Sequence, residues 1–123
     1  MSAYLELMAF QRDTEALGQV AGRLGWDQET MMPEGATPQR AEEHAAMASI
    51  LHARRIDPRV GDWLAKAEAD DDVALANLRH IRRSFERTAK VPARLAAELA
   101  RTTALAHRTW AQSRADEDVA SVL

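Results

Sequence analysis

The sequence predicts an all-α fold, about five helices in a small antiparallel bundle or array that occupies residues 1 to 123 as a single domain. Three observations carry this. Apolar residues recur at intervals of three and four over long stretches, the spacing that keeps side chains on one face of a helix. No segment shows the two-residue alternation of a strand. The periodic stretches are parted by short breaks marked with proline or aspartate.

The first helix is expected from about Ala3 to Leu24. Phe10, Thr14, Leu17, Ala21 and Leu24 form its inward stripe, and Leu5, Met8 and Val20 widen it. Gly25 can take the left-handed conformation that ends helices, and Pro33 with Gly35 is turn vocabulary, so residues 26 to 35 are read as a corner. Thr37-Pro38 starts the second helix, with Thr placed to accept from an early amide and Pro where no donor is needed. That helix runs to about Arg55 with Ala41, Ala45, Ala48, Ile50 and Leu51 inward. Asp57-Pro58 repeats the device and opens a short helix carrying Val60, Trp63, Leu64 and Ala67 on one face. Asp70-Asp71-Asp72 opens the fourth, whose inward side is Ala74, Leu78, Ile81 and Phe85, because negative charge suits the amide end of the helix dipole. Val91-Pro92 restarts the chain, and a last helix of about 33 Å is expected from Ala93 to Arg114 with Leu95, Leu99, Thr103, Ala106 and Trp110 inward.

A chain of 13.6 kDa should remove on the order of 13,000 Å² from water on folding, enough for a core. The core material is unusual, since 25 residues are Ala and only 23 are Leu, Ile, Val or Phe. Each Ala buries little area, so the chain is expected to be marginally stable alone and to keep an apolar face for a partner or for further sequence. The net charge of -3 conceals an acidic excess in residues 1 to 78 and a basic excess in residues 79 to 123. No Cys is present, which excludes disulfide and thiolate chemistry. The N-terminus carries Glu6 and no basic residue before Arg12, unlike a signal peptide, and no apolar run approaches the ~20 residues of a membrane span. A cytoplasmic protein without membrane attachment is expected.

The unusual chemistry is gathered in Trp26, Asp27, Gln28, Glu29 and Thr30, followed by Met32, Pro33 and Gly35, with Arg40 on the next helix. A Trp beside a helix end commonly folds back on the last turn, short side chains such as Asp27 and Thr30 can bond loop amides, and Met31 and Met32 would fill the corner. This string, with Val91-Pro92 and Trp110 and Arg114 further on, resembles the N-terminal signature of the thermostable carboxypeptidase Taq family of metallocarboxypeptidases. The resemblance implies an all-helical cytoplasmic enzyme, often a homodimer, that removes C-terminal residues from peptides with zinc or a similar divalent metal held by an HExxH helix. It also implies that this chain is the leading segment of such an enzyme, with a partner in the remaining C-terminal region or in a second copy.

Zinc peptidase chemistry needs two His one helical turn apart, a third ligand and a Glu to deprotonate water. None of His44, His52, His80 and His107 has a His at i+4. His44 and His52 are eight residues apart, about 12 Å along a helix, and ligands must lie about 2 Å from one ion. No metal ligand, bound cofactor or catalytic residue is therefore assigned, and the chain alone is expected to be inactive. Asp27 and Glu29 could be read as an acid and base, but no facing nucleophile can be named for them. Fastening of the corner is preferred to catalysis, and an ion pair from Asp27 or Glu29 to Arg40 is an alternative structural role. The basic face of Arg79, Arg82, Arg83, Arg87 and Lys90 carries no aromatic residue for base stacking, so nucleic acid is not an expected partner. The alternative function is a non-enzymatic helical interaction or dimerisation module.

Overall fold

A computed structural model describes residues 2–123. It is all-helical, with no strand among the described residues. Helix α1 spans Ala3–Thr30, α2 Thr37–Arg55, α3 Pro58–Lys66, α4 Asp72–Ala89 and α5 Ala93–Asp116, and short 3-10 turns cover Glu34–Ala36 and Ala120–Val122.

Side-chain capping explains several starts. Ser2 accepts from the Leu5 amide, Asp57 from Arg59 and Asp71 from Ala74, each satisfying a first-turn donor that the helix cannot. Thr37 departs from expectation. The 3-10 turn feeds directly into α2, so its hydroxyl donates back to the Glu34 carbonyl and accepts no amide.

A compact apolar cluster of Leu7, Val60, Leu64 and Leu78 joins the N-terminal half of α1 to α3 and α4, with Phe10, Trp63, Ile81 and Phe85 packed round it. Leu7 extends the stripe read from Phe10 to Leu24, whereas Leu5 and Val20 face solvent. Arg54 ties α2 to the same region, donating to the Thr14 hydroxyl and the Phe10 carbonyl at 2.8 Å each while its guanidinium covers the Phe10 ring. The other half of the molecule is built differently. Helix α2 lies along α5 with Ala41, Ala45 and Ala104 buried between them, and buried His52 donates from Nε2 to the Val91 carbonyl, holding the turn before α5.

The structure departs from expectation at the end of α1 and on the faces of α5. Helix α1 does not end at Leu24: it runs through Gly25 to Thr30, and no glycine has a positive φ. The stop is set by Pro33, which disfavours helix at the residue before it, while the Met31 and Met32 amides both close on the Asp27 carbonyl. The ring of Trp26 does not fold back and is 64% exposed, and Met31 points to solvent without filling a corner. On α5 the burial is reversed. The small face of Ala100 and Ala104 meets α2, and Leu95, Leu99 and Trp110, all expected inward, are exposed. Small residues allow close approach of the two helices, so the seam selects Ala over Leu.

Long helices joined at one compact cluster leave much surface in water. The chain exposes 8417 Å². Surface scaling gives roughly 6,600 Å² for a compact monomer of 13.6 kDa, so the area removed on folding is roughly 11,300 Å² and not the 13,000 Å² anticipated.

Candidate functional site at the junction of the first, second and last helices

Arg40 organises the junction. Its side chain, 14% exposed, donates from Nη1 to the Leu24 carbonyl at 2.8 Å, from Nη2 to Asp27 Oδ2 at 2.8 Å and from Nε to Glu43 Oε1 at 3.0 Å. The fork shape of a guanidinium permits this simultaneous engagement of two helices, and a cation near the C-terminal end of α1 also complements its dipole. The Asp27 hydrogen bond raises the Arg40 pKa further above its usual range, against the opposing effect of burial.

One turn away, Gln28 bridges to α5. Its Nε2 donates to the Ala104 carbonyl at 2.9 Å, which a carbonyl can only accept, so its Oε1 is left to face His44 Nε2 at 3.1 Å. His44 Nε2 therefore carries a proton in this bond. Burial is the main reason the His44 pKa lies below the ordinary histidine value, and the neighbouring Arg40 charge lowers it again. The middle of α5 is secured at the surface, where Arg101 grips both oxygens of Glu42 at 2.8 and 3.1 Å and Arg108 meets Glu34 at 2.9 Å.

The signature residues thus divide. Asp27, Gln28 and Arg40 converge on the three-helix junction, the first and last in an ion pair that the sequence offered as an alternative role for either Asp27 or Glu29. Thr30 bonds back to the Trp26 carbonyl at 2.7 Å, Met32 is half-buried, and Trp26, Glu29, Pro33 and Gly35 are exposed. Asp27 and Glu29, two residues apart on a helix, project in different directions and do not form a pair. The sequence reading missed His44 and Glu43. Both lie within one turn of Arg40 on α2, which is the signal that could have found them.

A groove of about 390 Å³ lies beside the junction, lined by Gly25, Gln28, Glu29, His44, Leu99 and His107. A second, of about 440 Å³, runs between α2 and the turn at Val91, past Met47, Leu51 and His52. His44 borders both. Among the described residues no group of three or more His, Cys, Asp or Glu is arranged to hold a metal ion, and no helix is long and apolar enough to cross a membrane.

The helical architecture and the joined signature residues define a class of protein, and the sequence comparison agrees. Residues 6–123 match the model of the carboxypeptidase Taq (M32) metallopeptidase family, and the chain belongs to that family. Among its relatives is thermostable carboxypeptidase 1 of Thermus thermophilus, 39% identical over 123 residues that cover 95% of this chain and 24% of the relative. Thermostable carboxypeptidase 1 of Pyrococcus furiosus is 26% identical over 121 residues, covering 92% of this chain and 23% of the relative. The chain spans about a quarter of the length of these curated relatives. A metal is implied for full-length members of a metallopeptidase family, but the side chains of this segment do not fit one.

Proposed function

We infer that this chain is the N-terminal helical segment of a metal-dependent carboxypeptidase that removes C-terminal residues from peptides, contributing scaffold or groove wall and not the metal site. The observation that carries the reading is a family match along nearly the whole chain that covers only a quarter of the relatives' length. In this reading zinc or a similar divalent ion is bound by the remaining part of the enzyme, and the peptide substrate meets this segment only in that setting. Asp27, Gln28 and Arg40 act as fasteners that fix α1 on α2 and α5, and Trp26, Glu29, Thr30, Met32, Pro33 and Gly35 shape the turn beyond them. The compartment is the cytoplasm.

The purified chain is expected to release no C-terminal residues from a peptide such as a blocked dipeptide, with or without added zinc. Release that a chelator abolished would contradict the assignment of the metal site to other sequence. A second reading, a helical dimerisation module without enzymatic role, is favoured by one feature, the exposed Leu and Trp side chains of α5. Light scattering separates the two, since a monomer across a wide concentration range leaves the dimer without support.

A further inference from the structure

We propose that the groove between α2 and the turn at Val91 binds a small apolar carboxylate that carries a neutral N–H or O–H beside its acid group, the class of α-hydroxy acids and N-acyl amino acids. The site stands apart from the proposed function and does not rest on it.

Charge selects an anion. Arg55 lies in the last turn of α2 and Arg87 in the last turn of α4, and both line this groove. Neither has an ion-pair partner among the described residues. The groove contains no Asp or Glu, although the chain holds 19 acidic residues against 16 Lys and Arg. Four other grooves differ in this respect, since Glu29, Glu15, Glu86 and Glu117 each place a carboxylate in one of them. Two guanidiniums without a counter-charge suit the paired oxygens of a carboxylate. The volume of about 440 Å³ falls within the range of small-molecule sites, and the walls at Met47, Leu51 and Val91 call for a hydrocarbon body.

His52 sets the remaining requirement. The residue is 5% exposed, and its Nε2 donates to the Val91 carbonyl, so in the neutral ring Nδ1 carries a lone pair. That nitrogen is buried and has no hydrogen-bond partner among the described residues. Buried acceptors are rarely left unpaired, and one in the wall of a groove asks for a donor from whatever fills it. Because Nδ1 is closed to water, the donor reaches it only as the ring and neighbouring side chains adjust, an ordinary extent of rearrangement on binding. The donor is neutral, since an ammonium would stand beside two guanidiniums. A carboxylate on Arg55 and Arg87, a hydrocarbon body on Met47 and Leu51, and an adjacent O–H or N–H on His52 use each feature once.

The test titrates the chain by calorimetry with α-hydroxyisocaproate, with isocaproate, which lacks the donor, and with α-hydroxyisocaproamide, which lacks the charge. The hydroxy acid is expected to bind one per chain with a Kd of about 1 mM or tighter, isocaproate about fivefold more weakly and the amide about tenfold or more. Inorganic phosphate at the same concentration should not displace it. Arg55→Ala and Arg87→Ala should each weaken the hydroxy acid about tenfold, and Arg79→Ala, exposed on α4 outside the groove, by no more than about twofold. His52→Gln keeps a donor for the Val91 carbonyl but has no atom in place of Nδ1, so the hydroxy acid should lose its advantage over isocaproate. Circular dichroism and melting temperature establish that each variant is folded. Two-bond proton–nitrogen NMR of the imidazole in the unsubstituted chain needs no variant: the Nδ1 resonance should move with the hydroxy acid well beyond the shift that isocaproate gives.

No saturable binding, equal affinity for acid and amide, or binding that both arginine substitutions leave unchanged overturns the site. Equal affinity for the hydroxy acid and isocaproate with an unmoved Nδ1, or displacement by phosphate, overturns the ligand class.

Discussion

At the scale of single residues, the junction depends on side chains that each serve two helices. Arg40 is the clearest case, since one largely buried guanidinium satisfies a carbonyl and a carboxylate on α1 as well as Glu43 on its own helix. Arg40→Ala should cost about 2–3 kcal/mol, because it strands Asp27 and the Leu24 carbonyl, and Arg40→Lys should recover only part of that since an ammonium lacks the fork. Urea denaturation of the three proteins measures both. His44 gives a pH dependence of defined sign. Its folded pKa lies below the unfolded value of about 6.5, so the unfolded state binds more protons as pH falls through that region. Stability present above pH ~6.5 is therefore lost on acidification towards the folded pKa, and His44→Gln, which keeps a donor for Gln28, should flatten that slope when unfolding is compared at pH 7.5 and 5.5. Arg40 was legible in the sequence as a candidate partner of Asp27 or Glu29, whereas which of the two it meets is set by the direction each projects from α1. The Gln28 bridge was not, because a carbonyl within a helix 76 residues away has no residue type to announce it.

At the scale of elements, starts were legible and one stop was misread. Asp57-Pro58 and Asp70 to Asp72 specify local hydrogen bonds, and local chemistry can be read without knowing the fold. Gly25 is ambiguous in sequence because glycine permits both a left-handed cap and an ordinary helical residue. Three-dimensional contacts resolve it. Arg40 and Gln28 hold the last turns of α1 on either side of Gly25, so the helix continues. Gly25→Ala discriminates between the two readings: at a left-handed cap it would destabilise, whereas here the backbone is helical and a Cβ meets nothing within 4 Å. The expected result is stabilisation by about 0.5–1 kcal/mol, measured as a rise in denaturation midpoint at constant slope. The face of α5 was misread for a different reason. Periodicity shows that a helix has an apolar stripe, but not whether the stripe meets its own chain or another.

At the scale of the whole molecule, composition accounts for how the helices are joined. A chain with more Ala than Leu, Ile, Val and Phe combined builds one small apolar cluster and otherwise joins its helices by Ala seams and polar bridges. Such joints hold long rods side by side without rounding them into a sphere. Helix α1 alone, at 28 residues, is about 42 Å long, whereas a compact domain of this length has a radius of gyration of about 14 Å. Small-angle scattering of the monomer should give a radius above that figure, and urea unfolding a slope lower by about one seventh than a compact chain of the same length, since roughly 11,300 Å² and not 13,000 Å² becomes exposed. The two measurements must agree, because both follow from the same uncovered surface. A radius at about 14 Å with a full-sized slope would mean that the helices close on one another in solution, burying the Leu and Trp stripe of α5 within the chain.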